Sequence, residues 1–457
     1  MELFKSKANA FLSSYYYPLL VLFATLISHT FSIEPLGFSI ILVTAGTGLL
    51  ICDDFRFIIS PLIMFIFMFS DKSVKSGIFY TTPYLVAIGV VSFAVIFLFV
   101  LRFIKYKGYI DIKAPLKSKL FIGIACLCGS FFLNGLFNFD GYRPENLIFA
   151  ISLTVCIGLV FFLFSTNLKP SGDIKNYFFY VLFLTSILIA LEFYLSFIYQ
   201  FEFADGQLVK ESILLGWGIW NNVGGMLAFL LPVHFYFAST AKKYGWAFYL
   251  SGIFIYLTIV LSLSRSSLLI STITIIVCAI VSCFKGENKK TNRIITCAIG
   301  VVGIVGVIVL WDKLYSVLGD YFARGFDDNG RFEIYKKGID NFCDNPIFGG
   351  GFFSADAQDY QFVAFMPDRY HNTIIQMLGT CGIVGLLAYA YHRYETIRLF
   401  WKKRSLYTAF CILCMAGFLG TSLLDNHFFN MYPSFIYVIM LVVVEISQDD
   451  FTLIKSK

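Results

Sequence analysis

Residues 266–284 decide the fold of this chain: they read SSLLISTITIIVCAIVSCF, without a charged residue, between Arg265 and Lys285. In a helix, such a run is close to the roughly 20 residues that cross the ~30 Å hydrocarbon core of a bilayer. Similar runs recur along the 457 residues, of which 58% are hydrophobic and 14% charged, whereas soluble domains carry about 25% charged residues. The sequence therefore predicts an all-α, polytopic integral membrane bundle.

The apolar runs number about fourteen, and two of them are short for a bilayer. Runs 36–51 and 56–70 form either a tight pair of tilted helices or a re-entrant element, so we expect about 12–14 transmembrane helices. The runs are 12–31, 36–51, 56–70, 80–101, 119–137, 146–166, 177–199, 213–239, 246–263, 266–284, 294–311, 372–391, 405–422 and 430–446.

Lysine and arginine predict the orientation of these spans, because both are enriched in cytoplasmic loops. With a cytoplasmic N-terminus, more than two thirds of the 35 such residues lie in cytoplasmic segments. Both termini are then cytoplasmic, and the long loop 312–371 faces outward. The net charge of +6 is explained by this asymmetry and gives no reason to expect a nucleic-acid partner. The chain also lacks the glycine-rich phosphate loop of cytoplasmic nucleotide-binding proteins.

The long loop contains apolar residues at helical spacing: Phe332, Tyr335, Ile339 and Phe342 follow the turn signal at 327–330. We expect an amphipathic helix lying on the outer membrane surface, with this stripe packed on the bundle or in the headgroup layer. The helix either caps an outward cavity or is a surface helix that fills space.

Four side chains near the outer face are candidates for chemistry. Arg265 is flanked by serines between two apolar stretches, and its planar donors suit phosphate oxygens; the alternative is a snorkelling turn residue. His371 stands at the mouth of run 372–391, in a segment that also holds Arg331 and Arg369. A lone histidine is usually structural, but an imidazole among cations tends to stay neutral and able to accept a proton.

Five other polar residues have both a functional and a structural interpretation. Arg143 either extends a phosphate-binding patch or is a turn residue. Glu192 is either an intramembrane site carboxylate or a group solvated at the outer interface. Asp425 and His427, in the last outer loop, either line an acceptor path or are ordinary loop residues. His234 is better interpreted as a satisfied packing residue than as a catalytic one.

Several short segments between 213 and 391 are weak signals alone, but their order and spacing are specific as a set. Together they resemble the O-antigen ligase and polymerase superfamily of membrane glycosyltransferases. One departure is that two adjacent asparagines stand where the family often has a proline between them. The segments are Trp220-Asn221-Asn222-Val223-Gly224 with Pro232, Ser264-Arg265-Ser266, Gly330-Arg331-Phe332 through Asn345-Pro346-Ile347-Phe348-Gly349-Gly350-Gly351, and His371-Asn372 followed by Met377-Leu378-Gly379 and Gly382-Ile383-Val384-Gly385-Leu386.

The resemblance implies an activity and a division of the chain. The enzyme would transfer a glycan from undecaprenyl diphosphate to an acceptor hydroxyl of a glycan or lipid-linked glycan, on the outer side of the cytoplasmic membrane, with inversion and without metal or other cofactor. Residues 1–212 would be N-terminal transmembrane helices, 213–391 the ligase-like core with loop 312–371, and 392–457 C-terminal transmembrane helices. Ligase and polymerase differ only in the acceptor, which these residues do not name.

The resemblance also implies roles for individual residues. His371 would be the catalytic base, and Arg265 and Arg331 would hold the diphosphate. Further candidates for binding diphosphate or glycan are Arg143, Asn221, Asn222 and Arg369. Acidic residues of the loop would either orient His371 or bind sugar: Glu333, Asp340, Asp344 and Asp368.

Two other classes of protein remain open at this point. A transporter or flippase of lipid-linked oligosaccharides would also have about a dozen spans, but internal repeats would be expected and none is evident, since the long loop has no counterpart in the first half. A membrane scaffold would not need arginine and histidine gathered on one outer face.

Overall fold

The chain folds almost entirely into α-helices. The computed structural model describes residues 2–70, 94, 96–106, 110–138, 142–170, 173–204, 207–208, 212–309, 311, 330–353 and 369–447. The predicted turn at 327–329, the candidate Asp368 and most of run 80–101 lie outside these residues. The one β-sheet among them is a short hairpin, in which β1 (Phe203–Ala204) is antiparallel to β2 (Gln207–Leu208).

The helices are numbered here in chain order over the described part of the sequence, and residues 96–105 are helical as well. They are α1 (Glu2–Leu12), α2 (Tyr16–Phe31), α3 (Glu34–Ile51), α4 (Ile59–Met64), α5 (Ala114–Lys117), α6 (Phe121–Phe132), α7 (Pro144–Asn167, with a π-helical turn at Val155–Leu159), α8 (Ile174–Gln200), α9 (Trp220–Thr240), α10 (Gly245–Leu261), α11 (Arg265–Phe284), α12 (Lys289–Val309), α13 (Arg331–Asp344), α14 (Thr373–Lys402), α15 (Leu406–Asp425) and α16 (Met431–Ile446).

Eight of these helices are long and apolar enough to cross a membrane, which confirms a polytopic helical membrane protein. A ninth span results if Ser6–Leu12 and Tyr16–Phe31, bent by 68°, cross together. Four further predicted runs form shorter apolar helices, and most of run 80–101 lies outside the described residues. The shorter helices are Phe55–Met68, Phe121–Phe132, Gly245–Leu261 and Met431–Ile446.

The structure refines three of the predicted runs. Run 36–51 is long enough to cross by itself as α3, whereas run 56–70 is broken into α4 and two flanking 3-10 turns. Run 213–239 is helical only from Trp220, because its first residues form a turn. Gly216 there has φ 79°, and the N–H of Leu215 donates to the carbonyl of Gly218 at 3.2 Å.

Helix α9 lies at the centre of the bundle, where it contacts α8, α10, α11 and α15. Glycines allow the close approach: a Cβ on Gly417 of α15 would lie 2.2 Å from the carbonyl oxygen of Ala228, and a Cβ on Gly224 of α9 would lie 2.8 Å from Oγ of Ser267. Small residues at helix interfaces are how membrane helices pack tightly. As a result, the N-terminal ends of α9 and α11 lie together.

Helix α14 is broken at Gly382, whose φ of 65° and ψ of −160° are not helical. The glycine-rich segment 345–353 inserts at this break and takes up the backbone groups that the helix leaves unpaired. The N–H of Gly350 donates to the carbonyl of Gly379 at 2.8 Å, and the N–H of Ile383 donates to the carbonyl of Pro346 at 2.9 Å. A broken helix at membrane depth is tolerated only when the surrounding protein satisfies its backbone in this way.

The other side of segment 345–353 is held by asparagines and a glycine near α6 and α7. The N–H of Gly135 donates to the carbonyl of Phe348 at 2.9 Å. Nδ2 of Asn138 donates to the carbonyl of Gly350 at 3.0 Å, and Oδ1 of Asn146 accepts from the N–H of Phe353 at 2.9 Å. Segment 345–353 therefore has a structural role, because it packs between α6, α7 and α14 and forms hydrogen bonds with residues of each region.

The predicted amphipathic helix is present as α13, but the face that packs is not the apolar stripe. Gly338 is buried, and a Cβ there would lie 2.5 Å from Ile375 and 3.0 Å from the ring of Tyr370. Phe332 and Ile339 of the stripe are 71% and 47% exposed. Phe332 and Ile339 therefore do not pack on the helix bundle, which was one of the two environments expected for the stripe.

Candidate functional site

His371 lies two residues before α14, in a turn that is stabilised by hydrogen bonds of the neighbouring residues. Its φ is 49°, in the left-handed region that a residue with a β-carbon rarely adopts. The N–H of Tyr370 donates to Oε1 of Gln376 at 3.0 Å, and Oδ1 of Asn372 caps α14 by accepting from the N–H of Ile374 at 2.9 Å. The turn therefore fixes the direction in which the imidazole leaves the backbone.

The imidazole of His371 contacts the carboxylate of Asp425, the last residue of α15. Nδ1 lies 2.9 Å from Oδ1, and the Asp425 side chain is 8% exposed against 34% for His371. Because an ionised carboxylate can only accept hydrogen bonds, Nδ1 carries the proton and Nε2 keeps its lone pair. The pair makes Nε2 the nitrogen that can accept a proton.

A buried polar network joins the start of α14 to the end of α15 and keeps this pair together. Nδ2 of Asn426 donates to Oε1 of Gln376 at 2.6 Å, and Oγ1 of Thr373 donates to the carbonyl of Ser422 at 2.9 Å. All four residues are buried. Since an unsatisfied buried polar group costs about 1–3 kcal/mol, the network stabilises this one arrangement of the two helix ends.

His427 is a second histidine beside the same carboxylate. Its Nε2 lies 4.0 Å from Oδ2 of Asp425, and its Nδ1 lies 3.3 Å from Nδ2 of Asn430. Burial lowers the pKa of His427, as do Arg369 and His371, while the charge of Asp425 opposes that shift. The ring is therefore neutral at pH 7.

Two arginines of the outer loop lie within electrostatic range of this cluster. Arg331, the first residue of α13, is partly exposed and acts on the carboxylate of Asp425. Arg369 is exposed and acts on His427. The structure thus brings Arg331, Arg369 and His371 to one place, although they come from two separate described stretches of the loop.

Arg265 is the exposed first residue of α11, at the same end of the bundle. A Cβ on Gly224 would lie 2.8 Å from Oγ of Ser267, in the first turn of α11, and a Cβ on Gly225 would lie 2.3 Å from Nε2 of His427. The first turn of α9 therefore packs against both the start of α11 and the histidine cluster. Arg265 therefore lies at the end of the bundle that also holds Arg331 and the His371–Asp425 pair.

Residues 250–390 match the family model described as O-antigen ligase. This match supports the assignment of the chain to the O-antigen ligase and polymerase superfamily. The matched segment contains Arg265, Arg331, Arg369 and His371, and it confirms the family resemblance of the sequence. No curated protein matches the chain.

The asparagine pair at the start of α9 lies upstream of the matched O-antigen ligase segment. Asn222 takes part in the helix start, because its Oδ1 accepts from the N–H of Ile219 at 3.3 Å. Both Asn221 and Asn222 are partly exposed, three to four residues before Gly225 and the ring of His427. Substrate binding by this pair stays a prediction.

Arg143 is placed differently from the other predicted arginines. It pairs with Glu145 at 3.2 Å, and its guanidinium carbon lies 5.9 Å from the centre of the Phe353 ring. Within the described residues, these contacts lead to segment 345–353 and not to His371. The geometry therefore favours the interpretation of Arg143 as a residue that packs at the start of α7.

The carboxylate that contacts His371 is not one of the acidic loop residues that the sequence suggested for this role. Glu333, Asp340 and Asp344 are exposed on α13, whereas Asp425 makes the contact. A signal for it existed in the sequence: Asp425 and His427 stand together directly after an apolar run, where a charge near a span's end is expensive unless it has a use.

The structure also decides between the alternative interpretations of His234 and of Glu192. His234 is buried between Oγ of Ser186 at 2.7 Å and Oγ of Ser251 at 2.8 Å, so its structural interpretation is confirmed. Glu192 is fully buried, and its Oε2 accepts from Nε1 of Trp217 at 2.8 Å. It is therefore not solvated at the interface.

No group of three or more His, Cys, Asp or Glu side chains in the described ranges is arranged to hold a metal ion. The prediction of a reaction without metal or other cofactor stays a prediction.

Proposed function

We propose that this O-antigen ligase superfamily member is a glycosyltransferase of surface polysaccharide biosynthesis. Its donor is a glycan joined through the anomeric carbon to undecaprenyl diphosphate, and its acceptor is a hydroxyl of a glycan or lipid-linked glycan. The observation that carries the proposal is the His371–Asp425 pair, with Nδ1 2.9 Å from Oδ1, at the end of the bundle that also holds Arg331 and Arg265. It combines a proton acceptor with cations that suit a diphosphate.

His371 is the general base of the proposed reaction. Asp425 holds Nδ1–H, so Nε2 is the atom that accepts the proton of the acceptor hydroxyl as the oxygen attacks. Asp425 then stabilises the imidazolium that forms, without itself taking the proton. Its burial beside His371 strengthens this interaction, because water screens it less.

Arg265 and Arg331 act on the leaving group. As the acceptor oxygen bonds to the anomeric carbon, the bond from that carbon to the diphosphate oxygen breaks, and the electron pair stays on the diphosphate. Guanidinium groups that meet this growing charge stabilise the transition state more than the ground state. A single displacement of this kind inverts the anomeric configuration.

The side of the membrane follows from the charge distribution. Lysine and arginine are concentrated in the loops that a cytoplasmic N-terminus places in the cytoplasm, so the end of the bundle with His371 faces outward. Polyprenyl-linked donors, and not nucleotide sugars, are the donors for a site on that side. The enzyme then resides in the cytoplasmic membrane with both termini inside.

A transfer assay separates this function from its alternatives. Purified protein in detergent receives a lipid-linked oligosaccharide, and the products are resolved by glycan length. New glycosidic bonds support the proposal, and their absence from correctly folded protein supports a flippase or scaffold. A ladder of lengths identifies a polymerase, whereas a single transfer to a distinct added acceptor identifies a ligase.

A further inference from the structure

His427 presents a buried hydrogen-bond donor to the far side of the Asp425 carboxylate. Nδ2 of Asn430 can only donate, so Nδ1 of His427, at 3.3 Å, accepts and the proton of the neutral ring lies on Nε2. That Nε2 is buried and makes no hydrogen bond in the described structure. The nearest carboxylate oxygen is Oδ2 of Asp425, at 4.0 Å.

The ring of His427 is fixed in this direction by its surroundings. The residue is 3% exposed, and it lies directly on α9 at Gly225, where a Cβ would be 2.3 Å from Nε2 and 2.5 Å from Cε1. Any larger residue at position 225 would displace the ring. The missing side chain at position 225 therefore leaves the space that the ring occupies in this position.

The two oxygens of Asp425 consequently face two histidines of different function. Oδ1 holds His371 at 2.9 Å, and Oδ2 faces His427 at 4.0 Å. The first distance is a hydrogen bond and the second is about 1 Å too long for one. Catalytic hydrogen bonds are often long without substrate and shorten in the reacting complex.

We propose that His427 is a positioning residue that orients the Asp425 carboxylate for the base His371. The inference rests on the proposed function. When the acceptor proton reaches Nε2 of His371, the new imidazolium pulls on Oδ1, and Nε2–H of His427 closes on Oδ2 so that the carboxylate does not rotate away. His427 takes no proton in this step and touches no reacting atom.

The inference is tested by kinetics on His427→Phe and His427→Gln, with the transfer assay run at saturating donor and acceptor. Phenylalanine removes the donor, and a misplacement of about 1 Å can cost about 100-fold in rate, so we expect kcat to fall roughly 10–100-fold while KM changes little. The amide nitrogen of glutamine replaces Nε2–H, so His427→Gln should recover most of that loss.

Gly225→Ala is an independent variant that leaves His427 in place but pushes its ring aside. It should lower kcat in the same way as His427→Phe. Gly303→Ala is the matched control, because that glycine in α12 has no atom within 4 Å of an added Cβ, and its kcat should equal that of wild type.

A double-mutant cycle distinguishes positioning from general damage. In an Asp425→Asn background, His427→Phe should cause no further loss, because its effect acts through the carboxylate. Equal kcat for wild type and folded His427→Phe, a His427→Gln variant as slow as His427→Phe, or independent losses in the cycle would each overturn the inference.

Failure of this inference is distinguishable from failure of the proposed function. If folded wild type forms no glycosidic bond, the function itself is wrong, and if His371→Ala retains wild-type activity, the role of His371 as the base is wrong. If His371→Ala is inactive while His427→Phe is fully active, only the role of His427 is wrong.

Discussion

Nδ1 of His371 lies 2.9 Å from Oδ1 of Asp425, although 54 positions separate the two residues in the chain. One stands before α14 and the other ends α15, and the buried network between those helix ends holds them together. The pair joins the outer loop to the C-terminal helices, so the proposed acid–base site extends beyond the family segment at 250–390.

Asp425→Asn should lower kcat by about 10²–10⁴-fold with the fold intact, because an amide no longer selects the tautomer with a basic Nε2. Turnover with a lipid-linked donor, and the melting temperature of the purified protein, measure the two effects. Glu287→Gln, a change at an exposed carboxylate between α11 and α12, is the control and should be fully active. Wild-type turnover in Asp425→Asn would contradict the role of the carboxylate.

Arg331→Gln should reduce kcat by about 10²–10³-fold, because it removes a cation that meets the developing charge of the diphosphate. The same assay on Lys336→Gln provides the matched control, since Lys336 is an exposed cation on the same helix. Equal losses in both variants would mean that only the general charge of α13 matters.

Gly382→Ala should destabilise the protein by about 1–3 kcal/mol or more, because alanine is strained at φ 65° and its Cβ would lie 2.4 Å from the carbonyl oxygen of Ile347. The measurements are the melting temperature and the yield of monodisperse protein in detergent. Gly306→Ala, in open space on α12, should behave as wild type. An unchanged melting temperature in Gly382→Ala would show that the break in α14 is not required.

The stability of the protein should fall in mild acid partly because of His427. Burial holds its pKa below the usual 6.5, so the unfolded chain binds more protons as pH drops, and the folded state loses stability below about pH 6.5. His427→Gln removes this contribution. Between about pH 7.5 and 5.5, the melting temperature of wild type should therefore fall further than that of His427→Gln. The other four histidines are common to both proteins, so equal falls would refute the prediction.

The features that depend on a local residue pattern could be predicted from the sequence. Apolar runs of about twenty residues predicted the spans, and the spacing of Phe332, Tyr335 and Ile339 predicted α13. The packed face of α13 was not predictable, because Gly338 is buried by the close approach of Tyr370 and Ile375, which no periodicity encodes.

The sequence was insufficient where distant segments complete each other. Gly382 lies in an apolar run that looks continuous, and its break is possible only because segment 345–353 supplies the missing backbone partners. Asp425 was not among the acidic residues expected to orient His371, because its contact with His371 is set by the packing of α14 against α15. Arg143 carries the same charge as Arg331, but the two have different partners. Arg143 pairs with Glu145, whereas Arg331 acts on the carboxylate of Asp425.

The most direct test of the account is a single-turnover assay of wild type and His371→Ala with a lipid-linked glycan donor and a hydroxyl acceptor. The measurement follows the new glycosidic bond and the released undecaprenyl diphosphate together. The account predicts equal amounts of both from wild type, and a rate at least about 100-fold lower from folded His371→Ala. Wild-type rates from His371→Ala, or no transfer at all by folded wild type, would contradict it.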